Sequence, residues 1–146
     1  MNKSLLIIFF LINAFLPNKE NDNEITAIFS RFETGIKNAN VEDFFSDLDG
    51  EIYLSIKKGV SGYFSSNQSY YLLNDYLREY SPLSFNLYKK ETEGDYPYGF
   101  GSYYYKKKGI RGNSKVFVSL KKNPTHNIPL KYMFLYQLDN KHKFQE

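Results

Sequence analysis

The 146-residue chain sets 19 lysines and arginines against 16 carboxylates, a net charge of +3, and contains neither cysteine nor tryptophan. The missing cysteines exclude disulfides, thiolate nucleophiles, zinc–thiolate sites and lipid attachment through sulfur, and so small a charge argues against a nucleic-acid partner. With 42% hydrophobic and 24% charged residues the composition is that of one globular domain, and 14 Tyr with 13 Phe favour strands, where flat rings pack on a pleated surface.

Lys3, the nearly unbroken apolar run Leu5 to Leu16 and the polar break at Pro17-Asn18-Lys19-Glu20 read as a signal peptide over residues 1–19. A run of about 12 residues falls short of the ~20 that span a bilayer, so the chain is expected to be exported, periplasmic or secreted, touching a membrane only transiently. Residues 20–146 are then one α+β domain. Asp22 or Asn23 caps a first helix whose apolar residues Ile25, Ile28, Phe29, Phe32 and Ile36 recur at helical spacing, and Asn40 caps a short second one carrying Val41, Phe44, Phe45 and Leu48. Glu51 to Ile56 alternates, with Ile52, Leu54 and Ile56 on one side and Tyr53 and Ser55 on the other; a second strand follows at Val60 to Phe64.

Ser65 with Gln68 three residues on forms a capping box for a third helix bearing Tyr70, Leu73, Tyr76, Leu77 and Tyr80, which Pro82 stops. Beyond it the period changes to two. Four strands are expected around Phe85 and Leu87, Tyr98 to Ser102, Val116 to Leu120, and Tyr132 to Leu138, separated by turn-rich breaks and therefore antiparallel neighbours. Helices followed by a meander make an α+β fold with a curved sheet wrapped around the helices.

This order of elements resembles the cone-shaped, nuclear transport factor two-like (cystatin-like) fold, in which three N-terminal helices pack on a curved, mostly antiparallel sheet. More narrowly, Phe44-Phe45, Gly62-Tyr63-Phe64-Ser65 entering a helix, Tyr80-Ser81-Pro82-Leu83-Ser84-Phe85 leaving it, Tyr98-Gly99-Phe100-Gly101 and Val116-Phe117-Val118-Ser119-Leu120-Lys121 resemble an exported bacterial family, domain of unknown function 4783. The similarity runs from about Ile25 to Leu138. That family has no assigned activity, so the resemblance implies a fold rather than a reaction.

The wider fold implies a pocket between sheet and helices, and Tyr53, Tyr98, Phe100 and Tyr132 are the candidates to line it, with Tyr104 and Tyr136 beside them and Asp43 or Asp47 as nearby carboxylates. No nucleophile elbow, phosphate loop or paired-carboxylate motif appears, so no catalytic residue is assigned and no cofactor is implied. His126 and His142 have no partner at ligand spacing, which gives no metal site. A mostly filled cone is expected, with a small-ligand pocket or enzyme as the alternative. Lys106, Lys107, Lys108 and Arg111 form a basic cluster suited to an anionic partner. The reading is a binding or interaction module whose partner is an unknown protein or small molecule, with a possible homodimer through the outer face of the sheet.

Overall fold

A long helix, α1 (Lys19–Lys37), carries Ile25, Ile28, Phe29, Phe32 and Ile36 on one stripe, and all five are buried. The computed structural model describes residues 19–46, 48, 50–56, 59–122 and 132–138, with 19–22 and 132–138 placed as backbone alone. The apolar N-terminal run, Asp47, the Asn123 to Pro129 stretch and both histidines lie outside the described residues. α1 begins ahead of the expected caps, so that Asp22 and Asn23 fall inside it. After the turn, Asn40 Oδ1 accepts the Glu42 backbone N–H at 3.2 Å, so the expected cap of α2 (Glu42–Phe45) acts from one residue further back. Val41, Phe44, Phe45 and Leu48 are buried with it.

β1 (Glu51–Ile56) and β2 (Val60–Ser65) form a hairpin with Tyr53 opposite Tyr63. Ser65 then starts α3 (Ser66–Glu79): its Oγ accepts the Gln68 N–H at 3.2 Å while its own N–H donates to Gln68 Oε1 at 3.1 Å. Both halves of the capping box are present, which satisfies two of the donors that a helix start leaves open. Leu73, Tyr76 and Leu77 face inward. β3 (Ser81–Glu91), β4 (Tyr98–Lys107), β5 (Ile110–Lys121) and β6 (Tyr132–Leu138) complete a six-stranded sheet in the order β2-β1-β6-β5-β4-β3. Every pairing is antiparallel except β1 with β6, which is parallel. The expected α+β architecture holds, and the helices cover one face of the sheet.

Pro82 lies on β3, an edge strand, where its missing N–H disrupts no interior ladder. Register shifts at Pro82/Ser84 and Leu87/Lys89 bend this strand. Glu33 of α1 binds its edge from outside: Oε1 accepts the Leu87 N–H at 3.2 Å and Oε2 pairs with Lys90 Nζ at 3.2 Å. A side chain that occupies an edge N–H leaves one position fewer for a foreign strand to pair with. Among the described residues no helix is long and apolar enough to cross a membrane.

Candidate functional site

Among the described residues, the space between helices and sheet is closely packed. A cavity there, lined by Phe32, Ile56, Leu73, Phe85, Tyr103 and Val116 among others, has a volume of about 20 Å³ and an entirely apolar wall. That is room for about one water and no organic ligand, and an apolar wall gives a water nothing to bond. Aromatic rings do the filling. Phe32 packs against Phe44 at 4.8 Å and edge-on to Phe85 at 5.6 Å, while Phe85 meets Tyr103 at 6.3 Å.

The inward positions of β4 are Gly99, Gly101, Tyr103 and Tyr105, which are buried, and the outward ones are Tyr98, Phe100, Ser102 and Tyr104. The expected lining residues therefore require correction. Tyr98 and Phe100 stack on the opposite surface with Phe117, at 6.1 and 5.0 Å. Tyr53 shares that surface, its ring 5.1 Å from Tyr63 and its hydroxyl 3.0 Å from Ser61 Oγ. None of the three touches the cavity. The physical reason is strand phase: the side chains of Phe85 and Leu87 on β3 occupy the space over Gly99 and Gly101, so the glycines take the inward register and the aromatic residues between them point out. Tyr132 pairs with Lys121 in the β5–β6 ladder, and its side chain, like that of Tyr136, lies outside the described residues. Asp43 lies on the surface of α2, beside a polar groove along α1. Tyr104 is half exposed on the outer face.

The sequence reading missed a tyrosine cluster where α3 ends against β4. Tyr76 and Tyr80 stack at 4.6 Å, Tyr105 stands edge-on to Tyr80 at 5.1 Å, and Tyr103 lies 5.5 Å from Tyr105. The spacing of Tyr76 and Tyr80 on one helix face beside Tyr103 and Tyr105 on one strand face was its available signal. The Tyr103 hydroxyl donates to the Tyr80 carbonyl, an acceptor that α3 leaves open at its end. Burial, reinforced by the neighbouring Tyr105, pushes Tyr103 well above the ordinary tyrosine value. A raised folded-state value stabilises the protein fully below the unfolded value of about 10, and this contribution is lost as pH rises beyond it, because the unfolded chain then releases a proton that the native one retains. Urea midpoints measured from about pH 8 to pH 12 are expected to fall more steeply in the parent than in Tyr103→Phe, by about one proton. At neutral pH the variant is expected to lose about 1–2 kcal/mol, since the Tyr80 carbonyl is left without its donor. Parallel slopes would mean that Tyr103 titrates in the native protein like an exposed tyrosine.

The basic cluster divides. Lys107 turns inward, its Nζ 2.9 Å from Glu79 Oε1, 2.7 Å from the Tyr80 hydroxyl and 4.2 Å from that ring's centre. Lys106 and Arg111 face each other across the ladder, and Lys108 occupies the turn with Gly109, both at positive φ. The outer face joins aromatic residues to cations: Lys115 Nζ lies 5.1 Å from the Tyr88 ring, Lys89 Nζ 5.7 Å from Tyr98 and Lys121 Nζ 5.8 Å from Tyr96. Among the described residues no group of three or more His, Asp or Glu is placed to hold a metal ion.

Comparison with known proteins agrees with this geometry. The family described as Domain of unknown function (DUF4783) matches residues 29–128. An NTF2-like protein from Anabaena variabilis superposes with a TM-score of 0.68 at 10% identity, covering 86% of this chain and 96% of that one. A DUF4783 family protein from Bacteroides uniformis gives 0.61 at 14% identity, covering 75% and 96%. A hypothetical protein with a ketosteroid isomerase-like fold from Catenulispora acidiphila, in complex with trimethylamine, gives 0.60 at 12% identity, covering 76% and 85%. No curated protein sequence matches the chain.

Proposed function

The chain belongs to the DUF4783 family, a family defined by a domain of unknown function, and we propose that it is an exported interaction module that presents the outer face of its sheet to an acidic protein partner. The observation that carries this reading is the contrast between the two faces. On the inner one, the described residues enclose an apolar void of about 20 Å³. The outer one exposes Tyr63, Tyr88 and Tyr104 by about half their surface or more, around the partly covered Tyr98, Phe100 and Phe117. Exposed aromatic side chains on a rigid sheet supply contact area at low entropic cost and are enriched in protein interfaces.

Charge selects the partner. Lys89, Lys106, Lys115 and Lys121 stand on this face against Glu51 and Glu91, so a second copy laid face to face would oppose cations to cations, whereas an acidic surface complements them. The apolar run Leu5 to Leu16 supports the export part of the reading. The filled interior speaks against the alternative of a small molecule held in the cone.

A photo-crosslinking residue at Tyr104 is expected to yield a salt-sensitive heterologous adduct in cells, and one at Arg78 on the exposed surface of α3 to yield none. An adduct of twice the chain mass would replace the acidic partner by a second copy. Equal labelling from both positions, or from neither, would remove the outer face from consideration.

A further inference from the structure

The β4–β5 hairpin closes through a two-residue turn, Lys108-Gly109, with φ of 47° and 84°. Two positive φ values in succession are those of a type I′ connection, whose twist matches the flanking strands and holds the tip in place. The last rungs of the ladder are Lys106 opposite Arg111 and Lys107 opposite Ile110. β3 starts level with the first of them, since Ser81 pairs with Lys106, and β6 joins β5 only from Lys115 onward. Among the described residues the final rung and the turn therefore project without a neighbouring strand on either side.

Charge sets this tip apart. Residues 104–113 include Lys106, Lys107, Lys108 and Arg111 and no carboxylate. Glu79 pairs with Lys107 at 2.9 Å, whereas Lys106, Lys108 and Arg111 form no ion pair among the described residues. Lys106 and Arg111 stand directly opposite each other, a like-charge pair that costs stability. Neither is needed to guard a sheet edge, because β4 and β5 are both interior strands. Exposed aliphatic surface is the second distinction. Of the seven large hydrophobic side chains exposed among the described residues, five are tyrosines; the other two, Ile110 at 74% and Leu83 at 50%, both lie at this end of the sheet.

We propose that the β4–β5 tip docks end-on to an anionic lipid bilayer, with Lys106, Lys108 and Arg111 among the headgroup phosphates and Ile110 below them at the acyl boundary. An end-on approach does not require the cations to share a face of the sheet. Lys106 and Arg111 lie on one side of the ribbon and Lys107 and Ile110 on the other, yet all four are within two residues of the turn, about 7 Å of strand. Their long stems let the charges stay at the phosphate level while Ile110 goes deeper. A soluble polyanion would answer the cations and leave Ile110 in water, whereas a bilayer offers a charged layer above an apolar one. One projecting rung is also far smaller than the ~800 Å² that a stable protein interface takes from each partner. The outer face stays open to a protein, so this inference does not depend on the reading above.

The chain has no cysteine, so Ile110→Cys and Glu93→Cys each carry one environment-sensitive fluorophore, the first at the tip and the second in the β3–β4 connection at the other end of β4. Both side chains are exposed, and neither substitution touches the core. With the full chain and vesicles of phosphatidylcholine and phosphatidylglycerol in equal parts, emission from the tip label is expected to move to shorter wavelength and that from the control label to stay. Adding Lys108→Asn, which suits the positive φ, or Arg111→Gln should weaken the lipid titration at low salt by about fivefold each. Attachment through the apolar run Leu5 to Leu16 alone would leave both labels in water and overturn the proposal, as would equal shifts from the two positions. An equal shift with pure phosphatidylcholine would remove the role of charge. The same shift with dextran sulfate or polyglutamate in place of vesicles would replace the lipid by a soluble polyanion.

Discussion

Phe85→Ala is expected to lower the free energy of unfolding by about 3–5 kcal/mol and to convert a filled interior into one that binds benzene. Phe85 is 1% exposed and packs edge-on against Phe32, with Tyr103 on its other side. Removing its ring adds to the void already present at that spot, whose wall is wholly apolar. An enlarged apolar cavity stays dry, loses dispersion contacts along its lining and is stabilised by an apolar guest. Urea unfolding gives the first quantity. Thermal unfolding with and without benzene gives the second, since a ligand bound only by the native state raises the midpoint. The variant's midpoint should rise and the parent's should not; a rise in the parent would show an interior already open to ligands and would reverse the proposed division of labour between the two faces.

The second large effect is expected at Gly101. A Cβ there would stand 2.8 Å from Phe85 Cε2, 2.9 Å from the Asn86 carbonyl oxygen and 3.0 Å from Leu87 Cδ2. Two of these neighbours are side chains packed in the core and the third is backbone, so the strand itself has to move. Overpacking of this kind costs about 1–3 kcal/mol, against about 0.4–1 kcal/mol recovered from the stiffer unfolded chain, and Gly101→Ala should therefore destabilise by roughly 1–1.5 kcal/mol. Gly99 is the control. Its added Cβ would meet only side-chain atoms, at 3.3 and 3.4 Å, and Gly99→Ala should change stability by less than about 0.5 kcal/mol. Equal costs at the two positions would mean that β3 and β4 are farther apart at Gly101 than the packing of Phe85 implies.

These two glycines also mark where the sequence ceases to be legible. Local signals read correctly: Ser65 and Gln68 cap α3 as their spacing requires, and Ile52, Leu54 and Ile56 enter the core as their alternation predicts. Such features are settled within a few residues of chain. The face that Tyr98 and Phe100 occupy is not, since β4 alternates between glycine and aromatic residues, and hydrophobicity alone assigns the rings to the core. Large side chains on β3 reverse that assignment by filling the room above the glycines. The aromatic residues expected to line a pocket thus lie together on the wrong side of the sheet for it. The division of Lys106, Lys107 and Arg111 between faces follows from the same alternation, and the tyrosine cluster needs α3 and β4 in contact, which no local pattern encodes.

The place of β6 bears on how the molecule is made. It is the last strand among the described residues yet sits inside the sheet, joining β1 to β5. During synthesis, the β1–β2 hairpin and the β3–β4–β5 meander have no shared ladder until Tyr132 to Leu138 has emerged. The sheet is consequently locked by β6, and its contacts of greatest sequence separation are the slowest to close. Until that strand pairs on both sides, the hairpin and the meander are two separate ribbons, each with an open edge toward the other.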